Sequence, residues 1–121
     1  MPLEVHRKFF STKEQVFDDL KQTGFFPTTY VSTPSPEIPV HWHDCEVHGY
    51  VIEGQSTILD AERGEYIVLE TGDKLVIPPG TLHAEGEVKD TMVFIVALPE
   101  ARPFDRFLQT LPPDDPNRPG A

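Results

Sequence analysis

The chain is 121 residues long, enough for one domain with a real hydrophobic core and too short for two independent ones. A formal net charge of -10, with only 10 Lys and Arg, lacks the clustered basic residues that nucleic acid or an anionic membrane surface would demand as a partner. The 13 prolines and the modest apolar fraction of 38% favour many short elements separated by rigid turns, which points to an all-β chain.

From the N-terminus, Leu3 to Phe10 alternates loosely and reads as an edge strand. Ser11 with Glu14 forms a capping-box pattern. Val16, Phe17 and Leu20 then make an apolar stripe and Gly24 supplies a stop, so a helix is expected over Thr12 to Gln22. Phe25 to Thr33 is aromatic and β-branched and reads as a strand that ends in the proline-punctuated TPSPEIP. Short strands follow at Ser56 to Leu59, Tyr66 to Leu69 and Lys74 to Ile77, with a hairpin turn around Gly64. Thr91 to Leu98 is the most apolar run and should be central. The segment PFDRFLQTL has room for one or two helical turns, and residues 112–121 read as a flexible tail behind a domain of residues 1–111.

Cys45 is the single cysteine, so no internal disulfide is available and no oxidising compartment is required. The N-terminus lacks the apolar run of a signal segment, and nothing approaches the roughly 18 apolar residues of a membrane span. A cytoplasmic protein is expected.

The chemistry concentrates in Val40 to Gly54. His41 and His43 stand two apart, which on a strand puts both imidazoles on one face, able to share one ion. Such a pair is also common on plain surfaces. A further histidine, His83, follows the turn Pro78-Pro79-Gly80, which fixes its position next to a strand. Cys45 reads as a small buried residue, His6 as a surface residue, and Glu85 and Glu87 as solvated charges of a polar hairpin, with Glu87 able to orient a histidine. Trp42 and Tyr50 alternate away from the His41 face and read as packing residues.

These residues resemble the cupins, small jelly-roll β-barrels whose metal site is built from two sequence motifs. Gly72, Pro78, Gly80 and His83 meet every position of the second motif, while His41, His43 and Gly54 fit the first. The glutamate of the first motif is missing: counting back from Gly54 places Val47 in its slot, between Glu46 and His48. The asparagine that closes the second motif is replaced by Glu87. The resemblance implies a single-domain jelly-roll barrel, RmlC-like, with one short N-terminal helix and one divalent transition metal ion per chain: iron, nickel, zinc, copper, cobalt or manganese.

Three accounts of the missing glutamate follow. In the first, His41, His43 and His83 form a three-histidine site like that of the thiol dioxygenase branch. In the second, a one-residue shift brings Glu46 or His48 in as fourth ligand. In the third, the metal has been lost and polar side chains bind a ligand. A metal held by neutral imidazoles keeps its full charge, which favours a small, anionic organic substrate and chemistry of oxygenase, isomerase or lyase type; the resemblance further implies a homodimer. The alternative is a non-catalytic module that binds a metal or small ligand as a sensor or store. Phe26, Tyr30, Val51 and Phe94 are the expected apolar walls.

Overall fold

The computed structural model describes residues 2–118. Eight strands and a helix follow one another as β1 (Glu4–His6), α1 (Lys13–Thr23), β2 (Phe26–Ser32), β3 (Val47–Glu53), β4 (Gln55–Asp60), β5 (Glu65–Glu70), β6 (Lys74–Ile77), β7 (His83–Glu85) and β8 (Met92–Leu98), with a 3-10 turn at Phe104–Arg106. The strands pair antiparallel in two sheets, one of five strands in the order β1-β6-β3-β8-β2 and one of three in the order β5-β4-β7. The chain is therefore mostly β with one helix, as expected. Closure into a full barrel is not seen among the described residues: the two sheets are hydrogen-bonded separately.

The helix begins one residue later than its sequence pattern suggested. Thr12 is the N-cap, and its reciprocal partner is Gln15: Gln15 N–H donates to Thr12 Oγ1 and Thr12 N–H to Gln15 Oε1. Ser11 was a plausible cap because it carries a hydroxyl as Thr12 does, but Ser11 N–H instead adds a second donor to Gln15 Oε1. Gly24, at φ 75°, ends the helix by returning its N–H to the Leu20 carbonyl, a left-handed conformation that costs glycine least. The edge strand is also shorter than the alternation of Leu3 to Phe10 implied, because only Glu4–His6 finds a partner, in β6.

Both faces of the five-stranded sheet are covered, which is why β3 and β6 are buried almost throughout and do not alternate. Val47, Val51, Leu75, Ile77 and Val96 pack in the space between the sheets. On the opposite face, Tyr50, Ile95 and Ala97 pack against Val16 and Leu20 of α1. Strand alternation thus assigns odd positions of β3 to the interior and even positions to the helix side.

β4 and β7 are clamped where Gly86 passes Thr57. Gly86 N–H donates to the Thr57 carbonyl at 2.7 Å, and a Cβ on Gly86 would stand only 2.7 Å from that same oxygen. Gly86→Ala should therefore force β7 away from β4 and cost on the order of 1–3 kcal/mol, as overpacking does elsewhere. Urea denaturation would measure it, and a cost within 0.5 kcal/mol of zero, roughly that of a neutral surface change, would contradict the clash.

The stretch from Leu111 to Arg118 returns to the segments that carry the histidines. Trp42 and Leu111 exchange backbone hydrogen bonds, Trp42 Nε1–H donates to the Pro112 carbonyl at 2.8 Å, and Arg118 Nε–H donates to the Gly80 carbonyl at 2.8 Å. Residues 119–121 of the expected tail, and residue 1 of the expected domain, lie outside the described residues. Among the described residues, no helix is long and apolar enough to cross a membrane.

Candidate metal centre

The two histidine motifs meet as the sheet geometry requires. His41 and His83 form an antiparallel bridge, each N–H donating to the other's carbonyl at 2.9 and 3.0 Å, and His43 lies two residues further along the same face. The three rings crowd together, with centroids 4.4 to 5.0 Å apart, and all three side chains are buried. β7 then supplies a fourth member. Because side chains alternate, Glu85 shares the face of His83, and its carboxylate lies 3.1 Å from His41 Nε2 and 3.5 Å from His83 Nε2. One donor atom from each of His41, His43, His83 and Glu85 falls within 4.8 Å of the others.

The second nitrogens show what the first are for. His41 Nδ1 lies 2.8 Å from the Pro39 carbonyl, His43 Nδ1 2.9 Å from that of Gln109, and His83 Nδ1 2.8 Å from that of Thr81. A carbonyl only accepts, so each Nδ1 must carry the proton, and in a neutral ring Nε2 is then a bare lone pair. The geometry aims these lone pairs at one another: His43 Nε2 and His83 Nε2 are 3.2 Å apart. With both Nδ1 atoms donating, that approach is a meeting of two acceptors unless a cation, a proton included, stands between them. His41 Nε2 and Glu85 Oε2 are likewise buried without a hydrogen-bond partner, although 3.1 Å apart, as two acceptors would be. Three imidazoles, each fixed from behind by a backbone carbonyl, and one carboxylate are a donor set suited to a divalent transition metal.

The electrostatics favour a neutral His43 and an ionised Glu85, and pull His41 the other way. Burial holds the His43 imidazole at a pKa of about 4, with the neighbouring rings adding to the depression, so it is neutral at physiological pH. Burial works against the Glu85 carboxylate, but the closeness and charge of His41 and His83 outweigh it and hold Glu85 well below the usual carboxylate range. For His41, burial pulls the pKa down while Glu85 more than offsets it and leaves it raised.

Glu46 and His48 are not brought to this cluster. They pair with each other, Glu46 Oε2 to His48 Nε2 at 2.6 Å, and the His48 ring stacks on Phe25 at 4.1 Å. The reason is the register of β3: Val47 faces the interior, so His48 faces the helix side, where burial lowers its pKa despite Glu46. Glu85, read from sequence as a solvated charge, takes the place next to the histidines. His83-Ala84-Glu85 is a strand of only 3 residues, too short for its alternation to signal this from sequence. Glu87 contributes its backbone carbonyl to Ser56. Cys45 is half-buried and packs against the core, and His6 is exposed.

A cavity of about 250 Å3 opens beside the cluster, with His41, His43 and Glu85 in its wall. Of the four expected apolar walls, Tyr30 and Phe94 line it and Phe26 and Val51 do not.

The profile of the cupin domain family matches residues 30–98. No curated protein matches the sequence. Among solved structures, the polyketide cyclase RemF of Streptomyces resistomycificus is 28% identical with a TM-score of 0.54 over 65% of this chain. This chain spans 57% of that cyclase's length. A DUF861 family protein of Thermotoga maritima is 16% identical with a TM-score of 0.59, over 79% of this chain and 98% of its own. A cupin-2 domain protein of Shewanella frigidimarina is 24% identical with a TM-score of 0.53, over 64% and 71% respectively. The latter two likenesses are of fold.

Proposed function

Because the chain belongs to the cupin domain family, we propose that it is a metal-dependent enzyme acting on a small organic substrate, with His41, His43, His83 and Glu85 holding one divalent transition metal ion. The observation that carries this reading is the set of three Nδ1 atoms tied to backbone carbonyls, which leaves three Nε2 lone pairs and a carboxylate converging at one point. When bound, the ion would supply Lewis-acid polarisation of a substrate oxygen or, as iron, activation of dioxygen. The chain's own groups do the rest. The Pro39, Gln109 and Thr81 carbonyls fix the tautomers and ring angles. The apolar cavity wall excludes bulk water and so strengthens every charge interaction at its polar end.

The reaction falls within the oxygenase, isomerase, lyase or cyclase types, the last because the 28%-identical neighbour is a polyketide cyclase. A homodimer formed at the sheet edge occupied by β1 belongs to the same proposal, and sedimentation measures it. The enzyme reading is tested by loading the chain separately with iron, nickel, zinc, copper, cobalt and manganese and following turnover of a panel of small oxygenated substrates. Turnover that depends on one of these ions is expected. Stoichiometric ligand binding with no turnover in any loaded form would replace the enzyme with a sensor or storage module.

A further inference from the structure

The cavity beside the cluster has a lopsided chemistry. Apart from the Glu85 carboxylate and the histidines, its walls are apolar side chains and a few hydroxyls, those of Tyr30, Ser32, Thr57 and Thr110 among them, and among the described residues no Lys or Arg lines it. It reaches the surface near Ser35, Pro36 and Ile38, which are exposed. At about 250 Å3 it falls below the roughly 300–1,000 Å3 of pockets that hold drug-sized ligands.

One wall position is a glycine without a backbone reason. Gly49 lies mid-strand in β3, between Leu75 of β6 and Val96 of β8, all three of which line the cavity. Its φ is not positive, and a Cβ added there would meet only the Leu75 Cβ, at an ordinary 3.8 Å. A glycine inside a strand costs roughly 0.5–1 kcal/mol relative to alanine and often marks a bulge, a bend, or a close approach by backbone or ligand; the register shift of β3 falls at Val51/Glu53 and no backbone comes within 4 Å of the added Cβ, which leaves the ligand. What its missing side chain leaves open is cavity.

Resting on the metal reading above, we infer that the substrate is a small, largely apolar molecule offering one oxygen-bearing group to the cluster, and that Gly49 sets how deep its apolar body enters. Charge supports this. A divalent ion balanced by the Glu85 carboxylate keeps one net positive charge, enough for a neutral or singly anionic oxygen. With no Lys or Arg in the wall, a small dianion would bring in a second negative charge unpaired, which is costly in an apolar site.

The test titrates wild type, Gly49→Val and Gly49→Ala with a naphthol, as an apolar aromatic alcohol, and with oxalate, as a small dianion, each in zinc-loaded and chelator-stripped form. Naphthol should bind wild type in both forms and more tightly with zinc, while oxalate binds more weakly than naphthol. Gly49→Val should weaken naphthol by about tenfold or more in both forms, about 1.4 kcal/mol, with zinc content unchanged. Gly49→Ala should weaken it by a smaller factor, and it decides the matter should the valine variant not fold. Naphthol affinity equal to wild type in a folded Gly49 variant, no naphthol binding in either form, or a preference for oxalate would each overturn the proposal. Failure of wild type to hold zinc would remove the metal reading alone, since the stripped form still decides the cavity.

Discussion

Replacing His83 by alanine is expected to empty the metal centre, reducing metal per chain at least tenfold by elemental analysis while the fold survives. The side chain is fully buried and contributes one of the converging lone pairs, whereas its strand is held by backbone hydrogen bonds to residue 41 that alanine keeps. Glu85→Gln separates the competing ligand sets. It preserves shape and removes the charge, so metal affinity should fall by one to two orders of magnitude, comparable with the roughly 10–100-fold effects of disturbing a ligand's immediate supports. Glu46→Gln and His48→Gln should leave occupancy at the wild-type level, because those two groups bond each other on the far side of β3. Metal loss in either of them as large as in Glu85→Gln would refute the donor set of three histidines and Glu85. Acid titration adds a second readout. Metal binding requires the ligands deprotonated, and with His43 neutral down to about pH 4 and Glu85 held ionised, His41 is the ligand whose raised pKa makes the proton an effective competitor. Affinity should therefore decline as pH falls through the His41 titration, beginning above the ordinary imidazole value of about 6.5, and His41→Asn should remove that step along with most of the affinity.

The histidines were legible in the sequence because each announces itself locally: two residues apart in one case, behind a Pro-Pro-Gly turn in the other. Glu85 was not, because its membership depends on knowing that His83, Ala84 and Glu85 form a strand, and three residues are too few for an alternation to be recognised. The same period misled at Glu46 and His48. A count along the motif places them one residue from the right slot, yet one residue in a strand is the other side of the sheet. The carbonyls of Pro39, Gln109 and Thr81 carry no sequence signal at all, since any residue offers a carbonyl; only the fold decides that the chain near residue 109 returns to His43. The strands themselves were readable from turn residues and β-branched runs, with β6 falling on Lys74–Ile77 as expected. The two-sided burial of β3 left no alternation to indicate which residues face the cavity.

Asp19→Ala should be among the more damaging changes outside the metal centre, lowering stability by about 1–3 kcal/mol, the usual result of leaving a largely buried polar partner unsatisfied. Asp19 Oδ2 accepts from Lys74 Nζ at 2.6 Å and from the Tyr50 hydroxyl at 2.5 Å, with the Asp19 and Lys74 side chains only 17% and 8% exposed. Removing the carboxylate strands the Lys74 ammonium, whose remaining company is the rings of Phe9 and Tyr50 at 4.9 and 5.4 Å from their centroids. Asp19→Leu combined with Lys74→Met should recover most of the loss, because an apolar pair of similar volume asks for no compensation; a double variant as unstable as Asp19→Ala would show that the damage came from lost helix packing and not from the stranded charge. The same pair sets an acid limit. Burial works against the Asp19 carboxylate, but Lys74 and Tyr50 outweigh it and leave its pKa lowered. A carboxylate depressed by folding contributes stability that is complete above its unfolded pKa, about 3.9, and that drains away as pH falls through the folded value. Wild type should accordingly lose stability below about pH 4 more steeply than Asp19→Asn does, which denaturant midpoints across that range would show. The consequence reaches the metal centre through alternation. Tyr50 and Lys74 are register partners across β3 and β6, and the neighbouring pair, Gly49 and Leu75, lines the cavity. Through Asp19, α1 therefore bonds to both strands, β3 and β6, that carry this wall.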